Sequence, residues 1–230
     1  MKGIVEHIRT PWVLVIQWDG YVADPDAWSD EFFNYDYIGA RWPWHNDGMS
    51  VGNGGFSLRS TKLMRLLASD EFPLRDGIYE DKLIGRIYRP LLESKYGIRF
   101  APNDVADRFS YENSHPPGPT FGFHSPHNLA RHLDASALQE LVAMAHPSTV
   151  AADSMVCLLG NCFLAHEFPS MEALFPAMKQ AIGVNELRDR LIKVGMNDAL
   201  ATYCLSLCEK LVRASAEDGK LGRQQLEEAQ

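Results

Sequence analysis

Hydrophobic and polar positions follow one pattern up to about residue 128 and another after it. In the first part, short apolar runs alternate with stretches rich in turn residues. The β-branched run at 13–17, VLVIQ, has the length and composition of a buried strand. Asp24 and Pro25 supply an N-cap and a first turn for a helix over 25–33, where Trp28, Phe32 and Phe33 recur near helical spacing. Residues 35–40 read as extended, 41–53 as a loop rich in Trp, Pro and Gly, and 56–59 as a second strand. Ser60 caps a helix over 61–69. A longer helix is expected over 79–96, interrupted or kinked at Pro90, which has no N–H to donate. A strand at 98–101, a helical piece at 104–109 and a long loop at 113–128 complete this part.

From 129 onward the apolar positions recur at helical spacing. Helices are expected over 129–132, 135–145, 155–165, 171–181, 185–194 and 197–214, with a charged tail after Glu217 that frays. Six amphipathic segments joined by brief loops make a bundle, which can serve as scaffold or interaction surface without chemistry of its own. The expected domains are an α/β domain at 1–128 and an all-α domain at 129–230.

Composition narrows the function classes. The chain has 230 residues, 46% of them hydrophobic, enough for one full core and a smaller second unit. A net charge of -8 argues against a nucleic-acid partner, which requires a basic face. It leaves an anionic small molecule open, because a metal ion or a few local arginines can hold one. No apolar run approaches the roughly 18 residues of a membrane helix. The early run at 12–16 has no cleavage site behind it, so no leader is evident. Cys157, Cys162, Cys204 and Cys208 have no paired CxxC spacing, unlike a zinc site. They read as buried free thiols in a reducing compartment, which makes the expected location cytoplasmic.

Two kinds of residue suggest chemistry. Asp19, in QWDG, ends the first strand, and open α/β sheets bind ligands at the carboxyl ends of their strands. It either caps a turn or holds a cation. Glu80 and Asp81, in YEDK, begin a helix. Acids there are either stabilised by the helix N-terminus or available as a general base.

Four stretches in order, LVIQWDGYV, YDYIGARWPW…VGNGGFSLRS, YEDKLIGR and RFSYEN…TFGFH, span residues 13–124. Together they resemble the nucleotide-sugar-dependent glycosyltransferases of the GT-A type, and more closely a bacterial family of glycosyltransferase-like domains. The resemblance implies a partial GT-A-like, Rossmann-related sheet with flanking helices, ahead of the all-α bundle. It implies an inverting transfer of a hexose from a nucleotide-sugar donor to a hydroxyl acceptor such as a glycan. Asp19, one acid where many relatives have two, would hold Mn²⁺ or Mg²⁺ on the donor diphosphate. His124 would close that metal site, with His127 as the alternative. Gly54 and Gly55 would leave room for substrate, Asn53 would offer its amide to sugar hydroxyls, Asp81 would be the base, and Glu80 would place acceptor or sugar. Trp42 and Trp44 would either stack on a sugar face or staple the loop. Arg59 would either meet phosphate or pair with Asp36.

Only 18 residues precede Asp19, too few for the nucleotide-binding βαβ half of such a fold at roughly 30 residues per unit. The strand at 13–17 is therefore expected to leave an exposed edge, covered by a second copy of the chain or by the C-terminal helices. Two other readings use the same residues. One is a non-catalytic interaction protein on a shortened transferase fold. The other is a metal-dependent hydrolase with water as acceptor.

Overall fold

The computed structural model describes residues 3–114 and 118–228, with side chains as far as residue 217. The chain is mixed α/β, with small sheets, many helices and a helical C-terminal region. It divides into two compact units, Met1–Ser125 and Pro126–Gln230.

The first unit contains β1 (Trp12–Ile16), β2 (Tyr21–Val22), β3 (Tyr37–Gly39), β4 (Phe56–Ser60), α1 (Thr61–Ala68) and α2 (Glu80–Lys82). After α2 come a π-helical turn (Leu83–Ile87), α3 (Arg89–Tyr96), α4 (Asn103–Phe109), β5 (Ser110–Tyr111) and β6 (Gly122–Phe123). The strands form two small sheets, ordered β1-β4-β3 and β2-β6-β5.

The first sheet corrects the expectation of a buried strand at 13–17, and leaves it at an edge. β1 is antiparallel to β4, which is in turn antiparallel to β3. The buried centre is β4, all five of whose residues are inaccessible. β1 lies at the margin, with four half-buried residues and an exposed Ile16. Among the described residues no strand pairs with its outer edge. Ile38, Phe56 and Leu58 pack with Phe32, Val105 and Phe109 on one face of this sheet. Tyr37 packs instead among Leu63, Leu83 and Leu92. In β4 the residues alternating with Phe56 and Leu58 are Ser57 and Arg59, which point to the opposite face by the period of two. A buried polar pair thereby stands beneath the site described below.

Three other elements depart from expectation. Residues 25–33 form two 3₁₀ turns, Pro25–Ala27 and Asp30–Asn34, rather than one helix. Asp24 caps the first as expected, but Ser29 Oγ accepts from Glu31 N and starts a second turn. The segment 98–101 contributes only a single bridge, Phe100 to Tyr37, because Pro102 follows and caps α4. The helix over 79–96 is broken at Tyr88, ahead of Pro90. Pro90 sits in the first turn of α3, where an N–H has no helical acceptor to lose. The predicted Ser60 cap is present: its hydroxyl accepts from Leu63 N at 3.1 Å.

The second unit opens with a 3₁₀ segment, Pro126–Arg131, followed by α5 (Ala135–Met144), α6 (Pro147–Val150), α7 (Asp153–Leu164), α8 (Phe168–Lys193) and α9 (Asp198–Glu228). The two helices expected at 171–181 and 185–194 join as α8, with a break at Gly183, where φ is 75°. α9 continues as helix to Glu228, past the point where fraying is expected. Met155, Leu159, Met171, Leu174, Leu187 and Cys204 are among the fully buried side chains of the second unit. All four cysteines are free thiols, Cys157 half-buried and the others buried. No helix among the described residues is long and apolar enough to cross a membrane.

Candidate functional site

The second sheet assembles the site by register. β5 and β6 are parallel, with Ser110 opposite Gly122 and Tyr111 opposite Phe123. The residues that follow, Glu112 and His124, therefore emerge side by side. β2 runs antiparallel on the other side of β6, with Tyr21 opposite Phe123. That pairing brings the turn before β2, and with it Asp19, against the same histidine. The turn is closed by Gly20 N donating to Gln17 O at 3.1 Å.

His124 is consequently surrounded by polar side chains, with the Asn53 amide nitrogen 3.2 Å from its Nδ1 beside three acceptors. Its Nδ1 lies 3.3 Å from Glu112 Oε1, and its Nε2 lies 3.1 Å from Gln17 Oε1 and 3.2 Å from Asp19 Oδ1. Burial disfavours the charged ring, but the carboxylates of Asp19 and Glu112 outweigh it and push the pKa up to about 9. The contact with Asp19 is an ion pair, and apart from it Oδ1 is buried with no other hydrogen-bond partner.

The glycine-rich run meets this cluster from below, with its backbone bonded throughout. Tyr37, fully buried, donates its hydroxyl to Gly52 O at 2.7 Å, with Asn53 O at 3.0 Å. Asn53 Oδ1 accepts from Gly55 N, and Asn53 Nδ2 donates to Glu112 Oε2 at 2.9 Å. Gln17 N donates to Gly55 O at 2.8 Å. The imidazole of His124 lies over Gly55, so a Cβ there would stand 2.0 Å from Nε2. A Cβ on Gly54 would stand 3.0 Å from both Arg59 Nη2 and Asp81 Cβ. The space above the two glycines is thus taken by the protein's own side chains, not left open for substrate as the sequence suggests. Their role is to let charged groups approach the sheet closely.

Asp81 stands on the Gly54 side of the run. Burial raises its pKa above the ordinary value, and the charges of Glu80 and Glu112 raise it further, against hydrogen bonds from the Lys82 and Gly54 amides. The π-helical turn begins two residues later, a distortion frequent at functional sites. Glu80 turns to Arg59 instead of outward. The guanidinium, 1% exposed, bonds both Glu80 oxygens, Ser57 Oγ and Gly54 O, and lies 5.4 Å from the Tyr37 ring centroid.

Several expected roles change as a result. Arg59 pairs with Glu80 and not with Asp36. Asp36 instead accepts from Ser60 Oγ and Arg99 N. Glu80 is held by Arg59 at its carboxylate. Trp42 is 7% exposed, its ring packed on Gly52 and Gly85, and it staples the loop. Trp44 is 61% exposed. His127 belongs to the second unit, in the segment Pro126–Arg131. A cavity of about 630 Å³ opens elsewhere in the first unit, beside Trp12, Thr61 and Arg65, and none of the clustered residues lines it.

Two members of the cluster were not anticipated. Glu112 lies inside the RFSYEN stretch and Gln17 inside QWDG, so both were in view without a role. Among the described residues no group of three or more His, Cys, Asp or Glu side chains is arranged to hold a metal ion. The atoms that a divalent cation would have to use are Asp19 Oδ1, His124 Nε2 and the amide oxygen of Gln17, which here contact one another through the ring nitrogen. Two of these are oxygen donors, as hard cations prefer. Glu112 on Nδ1 would then orient the ring, as carboxylates do behind ligating histidines.

The arrangement defines a class: a mixed α/β unit with an acid–imidazole cluster seated on a glycine-rich strand entry. The chain belongs to the family described as "Protein of unknown function (DUF5672)", whose model matches residues 5–124. That match covers the first unit's sheets and the whole cluster. No curated protein and no solved structure matches the chain.

Proposed function

We propose that the first unit is a glycosyltransferase with a partial GT-A-like fold. It would move a hexose from a nucleotide-sugar donor to a hydroxyl acceptor with inversion. The observation that carries this reading is the meeting of four distant stretches, at Asp19, Gly54–Gly55, Asp81 and His124, in one cluster. A scaffold has no need to bury a carboxylate–imidazole pair and to raise the pKa of a second acid nearby.

In this reading Asp19, His124 and Gln17 would hold Mn²⁺ or Mg²⁺ once His124 gives up its proton, and the ion would supply positive charge for the diphosphate of the leaving nucleotide. Asp81 accepts the proton of the acceptor hydroxyl as that oxygen bonds to the anomeric carbon and the bond from that carbon to the phosphate oxygen breaks. Its raised pKa makes it a better proton acceptor than an ordinary aspartate. Glu112 and Asn53 hold the His124 ring, and Arg59 with Glu80 fixes the run beneath.

The test is transfer from a panel of UDP and GDP sugars, with and without Mn²⁺, by the wild type and by Asp81→Asn. The reading expects metal-dependent transfer that falls about 10²-fold or more in the variant, with donor binding retained. Transfer by the variant at the wild-type rate would remove Asp81 from the mechanism. Failure of every donor to bind would remove the reading itself.

A further inference from the structure

The backbone of β1 has two edges, and its hydrogen bonds assign residues to each. Gln17 N donates to Gly55 O and Thr61 N donates to Pro11 O, both at 2.8 Å. Those bonds continue the register that sets Trp12 opposite Ser60 and Ile16 opposite Phe56. In an antiparallel pair, bonded and non-bonded positions alternate. Residues 11, 13, 15 and 17 therefore turn toward β4, and Trp12, Leu14 and Ile16 turn their N–H and C=O away from it. β4 obeys the same alternation, since Ser60 N donates to Asp36 O on the β3 side. At the outer edge Trp12 O accepts from Thr10 Oγ1 at 2.7 Å. Among the described residues nothing bonds the outward N–H or C=O of Leu14 or Ile16.

Natural edge strands are guarded by lysine, proline, a bulge or a covering element. Residues 12–16, WVLVI, carry neither charge nor proline, and they pair with β4 without a bulge. Ile16 is 46% exposed. The charges on either side show what fits this edge. The nearest ionisable residues are Arg9 and Asp19, opposite in sign and each five positions from Leu14. Arg9 is exposed and makes no ion pair or side-chain hydrogen bond among the described residues. A two-fold axis through Leu14 would set it opposite the partner's Asp19 and would place no like charges face to face along the strand. The same axis matches the bonding groups. Leu14 meets the partner's Leu14, and Trp12 meets the partner's Ile16, so each outward N–H finds a C=O. Trp12 O has a second lone pair for its share. Directly opposed residues lie on one face, so Ile16 comes against the partner's Trp12. On that face Trp12 and Leu14 already pack on the core of Phe56 and Leu58. An extended peptide of another protein would satisfy the N–H groups equally, but the flanking charges complement this strand itself.

We propose that two copies of the chain join through β1, antiparallel about a two-fold axis at Leu14, and so extend each three-stranded sheet into the other. The dimer does not depend on the transferase reading, and transfer activity is not among its readouts.

The experiment uses the full chain. Analytical ultracentrifugation across micromolar concentrations is expected to find a species of twice the chain's mass. Hydrogen exchange read by NMR is expected to show the Leu14 and Ile16 amides protected in the dimer and exchanging freely on dilution. Val13 and Val15, bonded to β4, stay protected in both states. Ile16→Pro removes one outward donor and no bond to β4, and is expected to weaken association about tenfold or more. Ile16→Val keeps the donor and is expected to dimerise like the wild type. Ile16→Lys leaves the backbone donor in place and sets a charge against the partner's Trp12. It is expected to weaken association as well, and it carries the test if the proline variant misfolds. Arg9→Asp sets like charges face to face and is expected to weaken association severalfold, most at low salt.

A wild type that stays monomeric through that range overturns the proposal, and protected Leu14 and Ile16 amides in such a monomer would mean that the chain covers its own edge. A dimer that Ile16→Pro and Ile16→Lys leave intact, or whose Leu14 and Ile16 amides exchange freely, joins elsewhere and overturns it equally. An Arg9→Asp dimer as tight as the wild type overturns the register.

Discussion

The imidazole of His124 stands directly over Gly55, so close that a methyl on that glycine would lie 2.0 Å from Nε2. The ring cannot swing away without leaving Glu112 on one side and Asp19 on the other. Gly55→Ala is therefore expected to cost about 1–3 kcal/mol, the usual range for overpacking a buried site. Urea denaturation measures the loss, and the imidazole NMR signals of His124 should move with it. A variant as stable as the wild type with an unmoved ring would contradict this packing.

The protonated histidine makes stability depend on pH in the metal-free protein. Its folded pKa, about 9, lies above the ordinary value of 6.5. The contribution is fully present below about pH 6.5 and is lost as the pH rises through about 9. Its size is on the order of a few kcal/mol. Melting curves between pH 6 and 10 should show a decline that His124→Gln removes. An identical decline in that variant would place the titrating group elsewhere.

Asp81 and Glu80 are neighbours with opposite expected effects on stability. Asp81 has a raised pKa, so its ionised form is disfavoured by folding at neutral pH. Asp81→Asn keeps an oxygen for the Lys82 and Gly54 amides and removes the charge. It should fold at least as stably as the wild type at pH 7, and a loss above about 1 kcal/mol would refute that.

Glu80→Gln removes the charge partner of a guanidinium that is 1% exposed. Leaving a buried cation uncompensated is costly, though Glu80 is itself 32% exposed and water moderates the effect. The expected destabilisation is about 1–3 kcal/mol by chemical denaturation. If Glu80→Gln proves neutral, another acid must compensate Arg59.

Trp42 and Trp44, two residues apart, should separate just as clearly. Trp42→Ala empties the space against Gly52 and Gly85 and should cost about 3–5 kcal/mol. Trp44→Ala, at a 61% exposed position, should stay within about 0.5 kcal/mol. Thermal melts of the two variants decide the matter, and equal losses would mean the loop packs otherwise.

What was legible in the sequence was what neighbours along the chain decide. The Asp24 and Ser60 caps bond amides two and three residues away, so residue type and position were enough. The change to a helical repeat past residue 128 was legible because burial of a helix face repeats every 3.6 residues. The residues at the site also stood out, since a strand ending in Asp, a glycine run and an acid pair are each conspicuous locally.

Their partners were decided only by the tertiary structure. Glu112 meets His124 because β5 and β6 pair in one particular register, and a shift of one residue would point Glu112 to the other face. Arg59 chose Glu80, 21 residues away, over Asp36 because the two faces of β4 lead to different neighbours and Asp36 was already held by Ser60 and Arg99. β1 is apolar enough for a buried parallel strand, but its apolar run carries no information about direction of pairing. Spacing along a chain determines which groups can bond locally, while the company a side chain keeps across a sheet follows from strand order and register.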